Sequence, residues 1–199
     1  LAVAAAHELG IVHRDLKPEN VMLERGALDR VRVLDFGLAR RLAAEGNLTR
    51  TGTIMGTPRY MAPEQARGAP TADQRVDVHA LGALAYEICA GEPLFAGMDR
   101  TAILARVLVE PRPELSRLCP EAPQSLCELV AAMVAIDPAQ RPRDAAAVVA
   151  ALSGLRSSEQ TVGLAPSSRM GDEQQRVLSV LVVRLDSPTA RALREQLTE

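Results

Sequence analysis

His13-Arg14-Asp15-Leu16-Lys17-Pro18-Glu19-Asn20 is the stretch on which the reading of this chain turns. It crowds charged and amide side chains around a proline that breaks regular structure, so it reads as a loop with chemistry to offer. Upstream, residues 1–9 are Ala-rich and apolar and predict a helix that Gly10 stops. Downstream, residues 21–24 and 31–34 are short apolar or β-branched runs about a turn-like 25–30, which predicts a small hairpin. Residues 35–61 hold no period, and a loop of that length inside a compact domain is usually functional or mobile. Beyond Pro63 the pattern turns helical. Residues 76–90 are apolar nearly all round, the mark of a central buried helix, and Gly91 closes it. Three amphipathic helices are predicted over 100–109, 123–136 and 143–152, with prolines between them.

Two further strings follow the loop in order: Asp35-Phe36-Gly37 and Ala62-Pro63-Glu64. Each alone is weak, but the three together, so spaced, resemble the H-R-D-L-x-x-x-N, D-F-G and A-P-E signatures of protein kinases. The chain is identified over about residues 1–152 as a bacterial-type member of the eukaryotic-like serine/threonine kinase superfamily. The fold this implies is the C-terminal lobe of a protein kinase, mainly α-helical with a small β-hairpin beside the catalytic loop.

The resemblance implies the chemistry of phosphoryl transfer from ATP with Mg2+ to Ser/Thr hydroxyls of protein substrates. Asp15 is expected to accept or orient the substrate hydroxyl proton. Lys17 is expected to reach the γ-phosphate, and a lysine there resembles serine/threonine rather than tyrosine kinases. Asn20 and Asp35 are the expected oxygen ligands of Mg2+ and, with Lys17, the expected ATP-binding residues. Thr57, in Gly56-Thr57-Pro58, resembles the threonine that contacts the catalytic Asp and Lys. Thr51 and Thr53 are candidate phosphosites, because a phosphothreonine adds nearly two negative charges that Arg14 and Arg40 could pair.

Other positions resemble scaffold. His13 supports the loop, Arg14 precedes the catalytic Asp, Asp77 holds the loop backbone from below, and Glu64 and Arg141 form a buried ion pair. His7 and His79 have no partner at metal-ligand spacing and read as plain helix residues; His79 stands where relatives commonly carry Trp.

Composition bounds the rest. Apolar residues make up 47% and charged residues 24% of 199, the balance of a globular protein, and the net charge of -2 gives no basis for a nucleic-acid partner. Three cysteines without a C-x-x-C suit a reducing, cytoplasmic setting. The apolar run 177–183 is too short to span a bilayer. Of 23 basic residues Lys17 alone is a lysine, which with abundant Ala matches a GC-rich bacterial genome.

No G-x-G-x-x-G occurs, and Lys17 is already placed in the loop. The expectation is therefore a kinase fragment whose Gly-rich loop and ATP-binding lysine lie upstream, inactive by itself and bearing an exposed apolar face where the other lobe docks. A kinase-like binding or scaffold module is the alternative; the intact Asp15, Asn20 and Asp35 argue against it. The expected layout is the kinase lobe over 1–153, a linker over 154–174 and the start of a second module over 175–199. Residues 173–186 resemble the opening strand of class III nucleotide cyclase domains, but Arg184 falls where those carry a metal-binding Asp. A strand of another signalling module is the competing reading.

Overall fold

The computed structural model describes residues 2–23, 31–36, 58–69, 73–97, 99–120 and 122–159. The first helix, α1 (Ala2–Glu8), ends as its glycine predicts. Gly10 sits at φ 73°, its N–H donates to the His7 carbonyl at 3.0 Å, and the Ile11 N–H donates to the Ala6 carbonyl at 2.9 Å. That pair of bonds satisfies the last carbonyls and turns the chain sharply into the loop.

The hairpin forms in the expected place. Strands β1 (Val21–Leu23) and β2 (Val31–Val33) pair antiparallel, with Val21 opposite Val33 and Met22 opposite Arg32. Side chains alternate across a strand, so Met22, Arg32 and Leu34 share one face. Met22 and Leu34 are 44% and 37% exposed there, while Val33 on the opposite face packs on the core.

Helix α2 (Pro63–Ala66) leads to α3 (Arg75–Ala90), the axis of the fold. α3 buries Val76, Val78, Ala80, Ala83, Leu84, Ala85 and Tyr86, on all sides of its helical wheel. It ends at Gly91, φ 75°, whose N–H donates to the Glu87 carbonyl at 2.8 Å. Helices α4 (Arg100–Val109), α5 (Leu115–Leu118), α6 (Gln124–Met133) and α7 (Ala145–Glu159) complete the described chain. α3 packs against α5, α6 and α7, and α1 against α7. At Gly82 the backbones of α3 and α6 come so close that a Cβ would stand 2.7 Å from Met133 Cβ and 2.8 Å from Val134 Cγ1. The described fold is thus mainly helical with one two-stranded sheet.

Three details differ from the sequence reading. The short helix α5 was not anticipated. Helix α6 stops at Met133 rather than 136: the Ala135 N–H donates to the Ala132 carbonyl, three residues back instead of four, and the carbonyls of Ala135 and Ile136 accept from the Arg141 guanidinium. Helix α7 starts at Ala145, where Asp144 Oδ1 accepts the Ala147 N–H at 2.7 Å, and runs to Glu159 rather than 152. The Ser153 hydroxyl donates to the Val149 carbonyl one turn back at 2.9 Å, and the helix continues through 154–159, the first residues of the expected linker. Arg112 ties α4 to α6: its guanidinium lies 4.7 Å from the Phe95 ring centroid and donates to the carbonyls of Val107, Glu110 and Val134. Burial, with Arg141 nearby, pulls its pKa down to about 10, so it stays a cation at neutral pH.

Candidate active site

The loop between α1 and β1 is fixed through its backbone before any side chain acts. Arg14 adopts φ 69°, a left-handed conformation that a side chain with Cβ resists. Its peptide groups are pinned on both sides. Asp77, at the start of buried α3, accepts the Arg14 N–H on Oδ1 at 2.8 Å and the His13 N–H on Oδ2 at 2.7 Å. Gln65 Nε2 donates to the Arg14 carbonyl at 2.9 Å, while its Oε1 accepts the Ala62 N–H. The segment Ala62-Pro63-Glu64 is thereby tied to the loop through the residue that follows it.

A second pinned peptide sits beside the first. Asp35 also takes a positive φ, 60°, which Asp tolerates better than most residues. The Leu34 N–H donates to the Asn20 carbonyl at 2.8 Å, and the Leu34 carbonyl accepts from His13 Nε2 at 2.8 Å. Since Nε2 faces a carbonyl it carries the proton, and Nδ1 is the acceptor for the Asp15 N–H at 3.3 Å. The His13 ring is fully buried and meets Phe36 edge-on, centroids 4.8 Å apart. His13 therefore holds the Asp15 and Asp35 segments together.

Around these pins the polar side chains converge. Lys17 Nζ donates to Asp15 Oδ2 at 2.8 Å. Asn20, 5% exposed, donates from Nδ2 to the Asp15 carbonyl at 2.8 Å. With Nδ2 so committed, Oδ1 is the atom of that amide left to ligate a cation. The Asp35 side chain is exposed to solvent. Among the described residues no group of three or more His, Cys, Asp or Glu could hold a metal by themselves. Two hard oxygen donors that leave the rest of the shell to phosphates and water are nonetheless what Mg2+ requires.

Arg141 and Glu64 form the expected ion pair, as a two-pronged contact: Nη1 to Oε1 at 2.7 Å and Nη2 to Oε2 at 2.8 Å. The remaining donors go to the carbonyls of Ala135, Arg75 and Ile136. All five N–H groups of the guanidinium are satisfied with its side chain out of water. Tyr60 donates to Glu87 Oε2 at 2.7 Å, and burial together with that carboxylate raises the phenol pKa. Thr51, Thr53, Thr57, Gly37 and Arg40 lie outside the described residues.

Sequence reasoning missed two members of this arrangement, Gln65 and His7. His7 is not a plain helix residue. It is buried, with Nε2 3.0 Å from Asp77 Oδ2 and Nδ1 accepting the Ala145 N–H at 3.2 Å. Its partners lie far along the chain, so no local signal marks it.

A helical domain that carries this loop beneath a short antiparallel hairpin has the architecture of a protein kinase. Residues 1–151 match the protein kinase domain, and the chain belongs to that family. It is similar to the DNA damage-responsive serine/threonine-protein kinase RqkA of Deinococcus radiodurans, 40% identical over 147 residues, which cover 74% of this chain and 22% of that protein. It is similar also to the serine/threonine-protein kinase PknL of Mycobacterium tuberculosis, 40% identical over 153 residues, 77% of this chain and 37% of the relative. A probable serine/threonine-protein kinase of Corynebacterium efficiens, CE0033, is 37% identical over 192 residues, covering 94% of this chain and 28% of its own length. The chain thus spans well under half of these relatives.

Proposed function

We propose that the protein containing this chain transfers the γ-phosphate of ATP to Ser or Thr hydroxyls of proteins, with this chain forming the C-terminal lobe. The observation that carries the reading is the pinned pair of left-handed residues, Arg14 and Asp35, on either side of the Asp15–Lys17–Asn20 cluster. Backbone strain of this kind costs about 1–3 kcal/mol per residue and persists where the surroundings enforce it, commonly at functional sites.

Asp15 accepts or orients the proton of the incoming hydroxyl, and Lys17, which neutralises Asp15 at 2.8 Å, offers positive charge to the transferring group. Asn20 Oδ1 and the Asp35 carboxylate hold Mg2+, which when bound neutralises the phosphate oxygens. The exposed apolar pair Met22 and Leu34, on the hairpin face beside these groups, suits the purine ring of the nucleotide. Thr57 shapes the hydroxyl pocket. Arg14 Nε is buried with no hydrogen-bond partner among the described residues, which leaves that edge of the guanidinium uncommitted for a phosphate on Thr51 or Thr53.

The missing parts of the cleft, a Gly-rich loop and a second lysine, come from a segment other than this chain, whose sequence contains neither. By itself the chain is expected to transfer no phosphate. The linker, read over 154–174 with its first residues taken up by α7 to Glu159, and the start of a second module over 175–199 belong to the same reading. In the full-length protein, Asp15→Asn is expected to remove nearly all transfer of labelled phosphate from ATP to a Ser/Thr protein substrate. Substantial residual activity would transfer the reading to the alternative, a kinase-like scaffold.

A further inference from the structure

Asp77 is the anchor of the catalytic loop, and something must in turn hold Asp77. α3 fixes its backbone, but its carboxylate is a buried charge, 1% exposed, whose orientation depends on what meets it. Oδ1 accepts one bond, from the Arg14 N–H. Oδ2 accepts two, from the His13 N–H at 2.7 Å and from His7 at 3.0 Å. Without the His7 contact, the two loop amides would be the only donors to that carboxylate among the described residues.

The proton position on His7 follows from its other partner. The Ala145 N–H can only donate, so Nδ1 presents its lone pair, and the hydrogen is on Nε2, aimed at Asp77. The ring is placed by the backbone of α1, and Gln74 Nε2, one residue before α3, donates to the His7 carbonyl at 2.6 Å. One buried chain of hydrogen bonds therefore runs from the first residue of α7, through the His7 imidazole and the Asp77 carboxylate, to the two amides that precede Asp15. α7 is the helix from which the rest of the polypeptide continues.

We infer that His7 is a positioning residue for phosphotransfer: its Nε2–H orients Asp77, and through Asp77 it sets the Arg14–Asp15 backbone in register with the N-terminus of α7. The two halves of the imidazole do separable work. Nδ1 satisfies the first amide of α7 and serves stability alone. Nε2 serves the catalytic loop.

Two substitutions separate the halves. In His7→Gln the side-chain amide places a donor near the Nε2 position but offers nothing to the Ala145 N–H. In His7→Asn the carbonyl replaces Nδ1 as acceptor and no donor reaches Asp77. The rate readout rests on the phosphotransfer reading, so each variant is made in the full-length protein and compared with wild type and Asp15→Asn. His7→Asn is expected to lower kcat about tenfold or more with KM for ATP nearly unchanged, as misplacement of a catalytic group does. His7→Gln is expected to retain kcat within about threefold, although both variants melt at lower temperature than wild type. In hydrogen exchange, the His13 and Arg14 amides should open faster in His7→Asn and remain near wild type in His7→Gln. Equal kcat and equal amide exchange in the two variants would overturn the inference, as would loss of the folded state in both, since His7 would then serve stability only. If wild type transfers no phosphate, the proposed function fails, and the amide exchange alone still decides the role of His7.

Discussion

His79 lies fully buried in α3, and neither ring nitrogen has a hydrogen-bond partner among the described residues. Burial holds its pKa well below the usual histidine value; the nearby guanidinium groups of Arg141 and Arg112 push the same way. The Tyr60 backbone opposes this weakly, at a geometry short of a hydrogen bond. The folded protein therefore keeps His79 neutral where the unfolded chain, with a pKa near 6.5, takes up a proton. More protons bound by the unfolded state means that stability falls as pH falls. The contribution is whole above about pH 6.5 and declines below it by about 1.4 kcal/mol for each further pH unit, until the folded pKa is reached. Between pH 7.5 and 5.5 the loss from this one residue is about 1.4 kcal/mol. The perturbation is His79→Leu, which has similar bulk and nothing to protonate. At pH 7.5 the variant is expected to match or exceed wild type, because an unpaired buried polar group costs about 1–3 kcal/mol. Urea unfolding of both chains at several pH values should show the variant's advantage growing by about 1.4 kcal/mol at pH 5.5. A difference independent of pH would mean that the folded state protonates His79, and the account of a closed pocket flanked by two cations would be wrong.

Three other outcomes follow from the same packing. Arg141→Lys keeps the charge but cannot supply five donors in a fork, and leaves Glu64 and three backbone carbonyls short of partners. Breaking a buried pair costs about 3–5 kcal/mol, so chemical denaturation should show a loss approaching that range, against little change for Arg143→Lys, whose side chain is 80% exposed. Gly82→Ala would force the new methyl against Met133 and Val134, and is expected to cost about 1–3 kcal/mol despite the better helix propensity of alanine. Burial, reinforced by Cys119 and Cys127, pushes the Cys89 thiol up to about 12, so mass spectrometry should find it unalkylated by iodoacetamide at pH 8 until denaturant is added. Rapid labelling of the native chain would contradict that.

The parts of the fold legible in the sequence are those whose causes are local. Gly10 and Gly91 end helices because each takes a left-handed φ, and both were readable from position alone. The apolar run of α3 is readable because burial on all sides leaves no polar stripe. Asp15, Asn20 and Asp35 could be picked out because their motif spacing is distinctive. What escaped is what depends on distant partners. Helix α6 lacks its last expected turn, and the carbonyls of Ala135 and Ile136 accept instead from Arg141, a contact that no helix propensity encodes. His7 looked ordinary because its two contacts are with Asp77 and Ala145, which only the packing of α1 against α7 and α3 brings near.

The same contrast bears on how the site tolerates change. Arg14 and Asp35 are held at positive φ by bonds to their own or adjacent peptide groups, from Asp77, Gln65, Asn20 and His13. A hydrogen bond to a backbone N–H or carbonyl does not depend on which side chain the residue carries. The loop geometry should therefore survive replacement of the Arg14 side chain, and fail when Asp77 or Gln65 is replaced, although neither of these faces the reacting groups. A strain of about 1–3 kcal/mol per residue is comparable with the net worth of one or two hydrogen bonds, so the loss of a single pin is enough to weigh against the strained geometry. The geometry of this loop is for that reason a property of α3 and α2 as much as of the loop itself.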